Sequence, residues 1–222
     1  MPSDSLRAVI FDIGRVLVRV DVGRAMKGLA ENIRLSPEEI WSAIEKDSRW
    51  KDWQEGRISP ANWHQHLNRK LGGSLTFEQF SRVWNSALDP QAIQDDRMLA
   101  SIAKHCRLGL LSNTDPIHVA HLEATYSFFR YFPPKVRTYS CIVGASKPSP
   151  LIYREALRRV EAQPAESVFV DDVQENVEAA RTLGMKGIHY QSPKGLISEL
   201  QSLGALGKDA ASQIFRDKVT GA

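Results

Sequence analysis

The chain has 222 residues, 42% hydrophobic and 25% charged, enough to bury a continuous core in one large domain or in a core with a smaller insert. Lys and Arg (29) barely exceed Asp and Glu (26) and are interleaved, which excludes the one-sided basic footprint of a nucleic-acid binder. Two cysteines, no apolar run near the roughly 20 residues of a membrane span and no signal-peptide pattern in MPSDSLRAVIFD lead us to expect a cytoplasmic protein, monomer or homodimer, without a membrane partner.

The first apolar run, Ala8-Val9-Ile10-Phe11, has strand length and ends on Asp12. From about 18 to 90 strand-like runs are few and helix starts are several. Ser36-Pro37-Glu38-Glu39 offers an N-cap, a proline at N1 and a glutamate at N3, and Ser59-Pro60 and Thr76 with Gln79 read as two more starts. This stretch is expected to be a helical insert, with residues 1–17 and 91–222 forming the rest. All five tryptophans, Trp41, Trp50, Trp53, Trp63 and Trp84, fall within it. A small helical unit needs large side chains for its own core, so most are expected there, with Trp50 or Trp53 the candidates to line a sugar-sized pocket.

Four more apolar runs follow: Leu108–Leu111, Cys141–Val143, Val168–Val170 and Gly187–Tyr190. None alternates polar with apolar throughout, the pattern of strands covered on both faces of a parallel sheet. Between them, 149–161 and 174–183 carry helical stripes (Ile152, Ala156, Leu157, Val160; Val177, Ala180, Leu183), with Gly184 placed to stop the second. Strand–helix alternation predicts an α/β fold with a doubly wound, Rossmann-like parallel sheet. The polar tail after about Gly207 is expected to fray.

Ligands of open parallel sheets sit beyond the carboxyl ends of the strands. The polar residues there are Asp12, Ser112-Asn113-Thr114, Asp171-Asp172 and, in a short loop, Lys147. Carboxylates at adjacent strand ends repel unless a cation joins them, and a hard cation with oxygen ligands, magnesium above all, relieves that repulsion. Ser112 and Lys147 can hold phosphate oxygens, while a carboxylate can attack phosphorus and split the reaction into two steps. His118 and His121 share a helix face but have no third ligand in view, so a metal site there is the lesser reading, as it is for His64 and His66.

At this point a resemblance becomes specific. Phe11-Asp12-Ile13-Gly14-Arg15-Val16-Leu17 resembles the first motif of the haloacid dehalogenase superfamily, and Leu110-Leu111-Ser112-Asn113-Thr114 its second. Lys147-Pro148 with Ile152-Tyr153 is similar to the third, and Val168–Asp172 with Asn176 to the fourth. Each is weak alone; their order and the room for a cap after the first carry the match. The branch it resembles is that of bacterial α-D-glucose-1-phosphate phosphatase-like proteins. The resemblance implies a magnesium-dependent phosphatase acting on a small phosphorylated metabolite, such as a sugar phosphate. In it Asp12 is nucleophile and metal ligand, and the Gly14 carbonyl and Asp172 are further ligands. Ser112, the Asn113 amide and Lys147 bind phosphate, with Asp171 and Asn176 supporting.

Two departures from the family pattern stand out. Gly14 replaces the aspartate that most family phosphatases use as general acid/base, a contribution worth roughly 10²–10⁴-fold. Its loss favours leaving groups that need little protonation. Arg15 stands where the branch has a small or amide residue, either as a cation at the site mouth or pointing to solvent. Two rival readings stay open: a 2-haloacid dehalogenase-type hydrolase, in which the aspartate attacks carbon without metal, and a weakly catalytic phosphate-binding or regulatory protein.

Overall fold

The structure, a computed structural model, describes residues 6–207. The expected fraying tail lies outside these residues. Five parallel strands form the central sheet: β1 (Ala8–Phe11), β4 (Arg107–Ser112), β5 (Arg137–Tyr139), β6 (Ser167–Asp171) and β7 (Lys186–His189). Their spatial order is β5-β4-β1-β6-β7. The chain builds outward from β1 to one side, then returns to build the other, so strand order reverses at β1 and its carboxyl end opens on the crevice. Every residue of β1 and β6 is buried, as continuous apolar runs require when helices cover both faces.

Two helices on this sheet match the sequence stripes. Helix α9 (Pro150–Val160) buries Ile152, Ala156, Leu157 and Val160, and α10 (Gln174–Thr182) buries Val177 and Ala180. Gly184 follows with φ +86°, in the left-handed region that lets the chain turn into β7. At Gly109 a Cβ would stand 2.5 Å from Val160, so α9 reaches β4 only because this strand residue has no side chain.

One strand was misplaced by sequence reasoning. The third apolar run belongs to a short helix, α8 (Ser140–Val143), in which Ile142 is exposed, and the edge strand is β5 just before it. Strand β5 has three residues, opens on an arginine and lacks an apolar run, whereas Cys141-Ile142-Val143 has strand composition but no strand neighbour.

Between β1 and β4 the chain forms β2 (Val18–Val20), then α1 (Val22–Ala30), α2 (Pro37–Glu45), α3 (Trp50–Gln54), α4 (Pro60–Leu71) and α5 (Phe77–Asn85). Strand β3 (Leu88–Ala92), α6 (Asp96–Ile102) and, after β4, α7 (Pro116–Thr125) follow; α11 (Pro193–Ser202) ends the described fold. Ser36 and Thr76 each close a capping box with Glu39 and Gln79, and Ser59 caps α4 ahead of Pro60. Helices α1 to α5 share a hydrophobic cluster that includes Ile40, Ile44, Trp53, Trp63 and Phe80 and that Ile117 of α7 joins. The antiparallel pair β2–β3, unforeseen from the sequence, carries the chain into and out of these helices, and the expected insert limits of 18 and 90 fall within it. Such short strands, one containing a proline, give no recognisable alternation.

Candidate active site

Strand register assembles the site. Phe11 pairs with Val170 on one side and Leu110 on the other, so one step further along the register Asp12, just past β1, comes beside Asp171, the last residue of β6, with Ser112 at the end of β4 nearby. Lys147 joins them from the loop after α8. Its Nζ lies 2.7 Å from Asp12 Oδ1 and 2.6 Å from Asp171 Oδ2, and the side chain is 2% exposed. Burial opposes the lysine's charge, but Asp12 and Asp171 outweigh it and hold its pKa above the ordinary value. Burial, with the charge of Asp171 beside it, raises Asp12 to about 6 against the pull of Lys147.

The two neighbouring aspartates have different surroundings. Asp171 is fully buried and accepts from Lys147, both bonds from Asn176 Nδ2 (3.1 and 3.2 Å) and the Val173 amide (2.8 Å). Asp172 is partly open, and its Oδ2 meets Arg15 Nη1 at 3.8 Å. Burial and then Asp171 raise its pKa, with Arg15 opposing. Arg15 itself is 62% exposed in its side chain and has φ +58°. A left-handed backbone suits glycine or asparagine, which gives a physical reason why an arginine here departs from the branch pattern. Of the two roles open to Arg15, the geometry has it facing Asp172. Carboxylate oxygens of Asp12, Asp171 and Asp172 lie within 4.8 Å of one another, and among the described residues no other group of acidic, histidine or cysteine side chains converges this way.

Ser112 is buried at the strand end, and its hydroxyl forms no side-chain hydrogen bond among the described residues. Asn113 grips the lysine loop: its Oδ1 accepts from the Lys147 amide (2.8 Å) and its Nδ2 donates to the Lys147 carbonyl (3.0 Å). At Gly14 a Cβ would lie 3.5 Å from Val20 and 4.0 Å from Asp12 Oδ2, so space for a side chain exists beside Asp12.

Three features escaped the sequence. Ser140 takes the Thr114 amide and donates to the Gln54 carbonyl (2.7 Å), joining α3 to the end of β4. Glu55, buried, accepts from Ser146 (2.6 Å), Lys51 and Arg57; burial would raise its pKa, but these bonds outweigh it and hold it at about 2. Asp115 caps α7, accepts from Trp84 Nε1 (3.0 Å) and pairs with His118. The pairing raises His118 against burial and lowers Asp115. His118 is therefore tied to a carboxylate rather than poised for a metal, while His64 bonds the Leu75 carbonyl and His66 bonds Asp47. The tryptophan roles follow the sequence reading in part: Trp53, Trp63 and Trp84 are buried in the cluster, and of the two pocket candidates Trp50, not Trp53, lines a cavity. Trp53 and Trp63 stack at 5.5 Å within the cluster, while Trp41, Trp50 and Trp84 line a cavity of about 160 Å³ that reaches Asn113. Both cysteines are free, Cys106 buried and Cys141 partly so, and no described helix is long and apolar enough to cross a membrane.

A doubly wound sheet with an aspartate, a lysine and an acidic pair at its carboxyl edge defines a Rossmann-like hydrolase core. The chain belongs to the haloacid dehalogenase-like hydrolases, whose family model matches residues 6–184. It is 25% identical over 205 residues to the sesquiterpene phosphatase astK of Aspergillus oryzae, covering 90% of this chain and 97% of that protein. It is 24% identical to the D-ribitol-5-phosphate phosphatase of Bacteroides thetaiotaomicron over 82% of this chain and 90% of that one. Against the mouse acyl-CoA dehydrogenase family member 10 (28% identical) it spans 19% of the relative's length. Among solved structures, a haloacid dehalogenase family enzyme of Bacteroides thetaiotaomicron, in complex with magnesium and inorganic phosphate, superposes with TM-score 0.72 at 23% identity, over 85% of this chain and 96% of that one. A predicted hydrolase of the same family from Porphyromonas gingivalis gives 0.76 at 24%, over 89% and 97%. Both show a shared fold.

Proposed function

We propose that the chain is a magnesium-dependent phosphatase that hydrolyses a small phosphate monoester through an aspartyl-phosphate on Asp12. The observation that carries this reading is the buried lysine bridging Asp12 and Asp171 with Asp172 within reach. In this reading residues 1–17 and 91–222 are the core, and 18–90 the cap that closes over it. The donors fit a hard cation: all are oxygens, and Asp171 is saturated by protein bonds, leaving Asp12, Asp172 and the Gly14 carbonyl to hold it. When bound, magnesium offsets charge on the transferring phosphoryl group.

The protein's own groups then do the following. Ser112, the Asn113 amide and Lys147 bind the phosphoryl oxygens. A carboxylate oxygen of Asp12 attacks phosphorus and the ester P–O bond breaks. Asp171 and Asn176 hold Lys147 in place, and Arg15 faces the solvent side of Asp172. The departing alkoxide takes its proton from water or a cap group, since Gly14 supplies none. Water then attacks the phosphorus of the aspartyl-phosphate, releasing inorganic phosphate and restoring Asp12. A metal-free dehalogenase has little reason to crowd three carboxylates, which disfavours that rival.

The test is hydrolysis of para-nitrophenyl phosphate by purified protein. Turnover with magnesium, lost on EDTA treatment, restored by magnesium and poorly by calcium, is expected. Full activity surviving exhaustive EDTA treatment overturns the reading. The relatives are named for a sugar-alcohol phosphate and for a sesquiterpene, so family membership leaves the alcohol open.

A further inference from the structure

Building on this phosphatase reading, we infer that the substrate is the phosphate ester of a compact apolar alcohol, its body about the size of one six-membered ring, held between Met26, Trp41, Trp50 and Trp84. This departs from the sugar expected from the sequence. The cavity these residues line measures about 160 Å³ and lies between the helices of residues 22–85 and the carboxyl end of β4. An apolar cavity of about 150 Å³ is known to accept benzene, which sets the scale of the occupant. Of the lining residues, Trp50 meets Trp41 edge-on at 5.9 Å and Trp84 at 6.3 Å, so three contiguous indoles supply aromatic surface to the cavity. The cavity ends at Asn113, which directly follows Ser112 and holds the Lys147 backbone at amide and carbonyl, so its wall and the lysine loop share one residue.

The polar groups of the lining are mostly engaged already. Asp115 accepts from the Ile117 and His118 amides at Oδ1 and from Trp84 and His118 at Oδ2. His118 reaches Asp115 with Nδ1 and the Trp84 carbonyl with Nε2, so neither ring nitrogen is left to a ligand, and the pair's charges cancel locally. The Thr114 amide is bound by Ser140. Among the described residues this leaves the Gln54 amide, the Thr114 hydroxyl and one N–H of Asn113 for a ligand. A hexose phosphate would bring four free hydroxyls to a lining whose open polar groups are confined to the side chains of Gln54, Thr114 and Asn113. Each hydroxyl buried without a partner costs roughly five- to a hundredfold in kcat/KM. An apolar body instead gains roughly fourfold for each buried methylene.

Esters of primary alcohols separate this from leaving-group effects, because their alkoxides are similarly basic. We would measure kcat/KM with magnesium for methyl, butyl, hexyl and cyclohexylmethyl phosphate and for a hexose 6-phosphate. The alkyl series should climb roughly fourfold per carbon and level off once the cavity is full, near six carbons. Cyclohexylmethyl phosphate should exceed the hexose 6-phosphate at least tenfold. Trp50→Ala, and Met26→Ala as a milder truncation, should flatten the climb, with circular dichroism checking the fold. A flat alkyl series, or a hexose 6-phosphate preferred over cyclohexylmethyl phosphate, overturns the inference and leaves the phosphatase reading intact. If no ester, para-nitrophenyl phosphate included, is hydrolysed, the phosphatase reading fails instead. Binding then decides the cavity's role: by tryptophan fluorescence, benzylphosphonate should bind at least tenfold tighter than methylphosphonate, and equal affinities overturn it.

Discussion

Replacing Lys147 with methionine removes the one charge that neutralises two buried carboxylates, keeping the length and packing of the chain. The ammonium sits 2.7 Å from Asp12 and 2.6 Å from Asp171 with 2% exposure, so no solvent stands ready to take its place. Breaking a buried ion pair by removing one partner costs about 3–5 kcal/mol, because the remaining charge is left uncompensated. With an unfolding entropy of about 2.1 cal/mol/K per residue over 222 residues, Lys147→Met should lower the melting temperature by about 6–11 °C in EDTA at pH 8. Saturating magnesium should recover part of that loss, since a cation held by Asp12 and Asp172, with Asp171 close by, offsets the missing charge and stabilises by mass action. Turnover should stay at least about a hundredfold down even with magnesium, because the metal does not restore the donor to the phosphoryl group. Differential scanning calorimetry with and without metal reads both effects. A variant melting with the wild type in EDTA, or a deficit that magnesium leaves unchanged, refutes the view that Lys147 and the cation share one electrostatic task.

Other outcomes follow from the same geometry. Asp12→Asn should keep the fold by circular dichroism and lose more than about nine-tenths of the para-nitrophenyl phosphate rate; a larger residual rate rules Asp12 out as nucleophile. Gly14→Asp places a carboxyl in space that is open on the Asp12 side, and in a folded, magnesium-binding variant should flatten the dependence of rate on leaving-group pKa, helping basic alcohols by up to roughly 10²–10⁴-fold; an unchanged slope means another group already supplies the proton. Asp47 is buried, which would raise its pKa, but Lys70, the Arg49 amide and His66 outweigh burial and depress it to about 2. A depressed carboxylate contributes stability that is present above its unfolded value near 4 and lost as pH falls toward 2. Asp47→Asn should therefore be less stable by about 1–2 kcal/mol in urea at pH 7, allowing for solvent screening at Lys70, and the gap should narrow between pH 4 and pH 3.

What was legible in the sequence was whatever a short window determines. Capping boxes at Ser36 and Thr76 are decided within four residues, and all-apolar strands such as Val168–Val170 announce burial on both faces. The site residues Asp12, Asp171, Asp172, Ser112 and Lys147 could be named because each directly follows such a run or its loop, and the parallel register brings the first two together. Features decided by distant partners were not legible. Strand β5 is a strand because β4 lies beside it, and Cys141–Val143 is a helix because nothing does. The division of tryptophans between core and cavity depends on how five helices cross, which composition does not encode. The positive φ of Arg15 comes from the turn that Arg15 closes with Val18, not from any preference of arginine.

The features missed most completely are those that join the cap helices to the strand ends, and they bear directly on function. At Gly56 the backbone has φ +72°, and a Cβ would stand 1.9 Å from the Cys141 carbonyl, so a residue with a side chain would force the helix-α3 turn away from α8. In the two residues just before this glycine the contacts are polar. The Gln54 carbonyl takes the Ser140 hydroxyl, which also receives the Thr114 amide, and Glu55 takes the hydroxyl of Ser146, the residue before Lys147. Gln54 lines the aromatic cavity, as do Thr114, joined to it through Ser140, and Asn113. One four-residue turn therefore fixes, at the same time, the cavity's polar corner, the end of β4 and the loop that delivers the lysine. A substrate's apolar body and its phosphate would then be gripped by parts of one rigid mounting. Displacing the turn would shift both, which is why specificity and catalysis in this chain should prove hard to separate by mutation at residues 54–57, and easier to separate at Trp50 or Met26, which line the cavity and, among the described residues, form no hydrogen bond with the lysine loop.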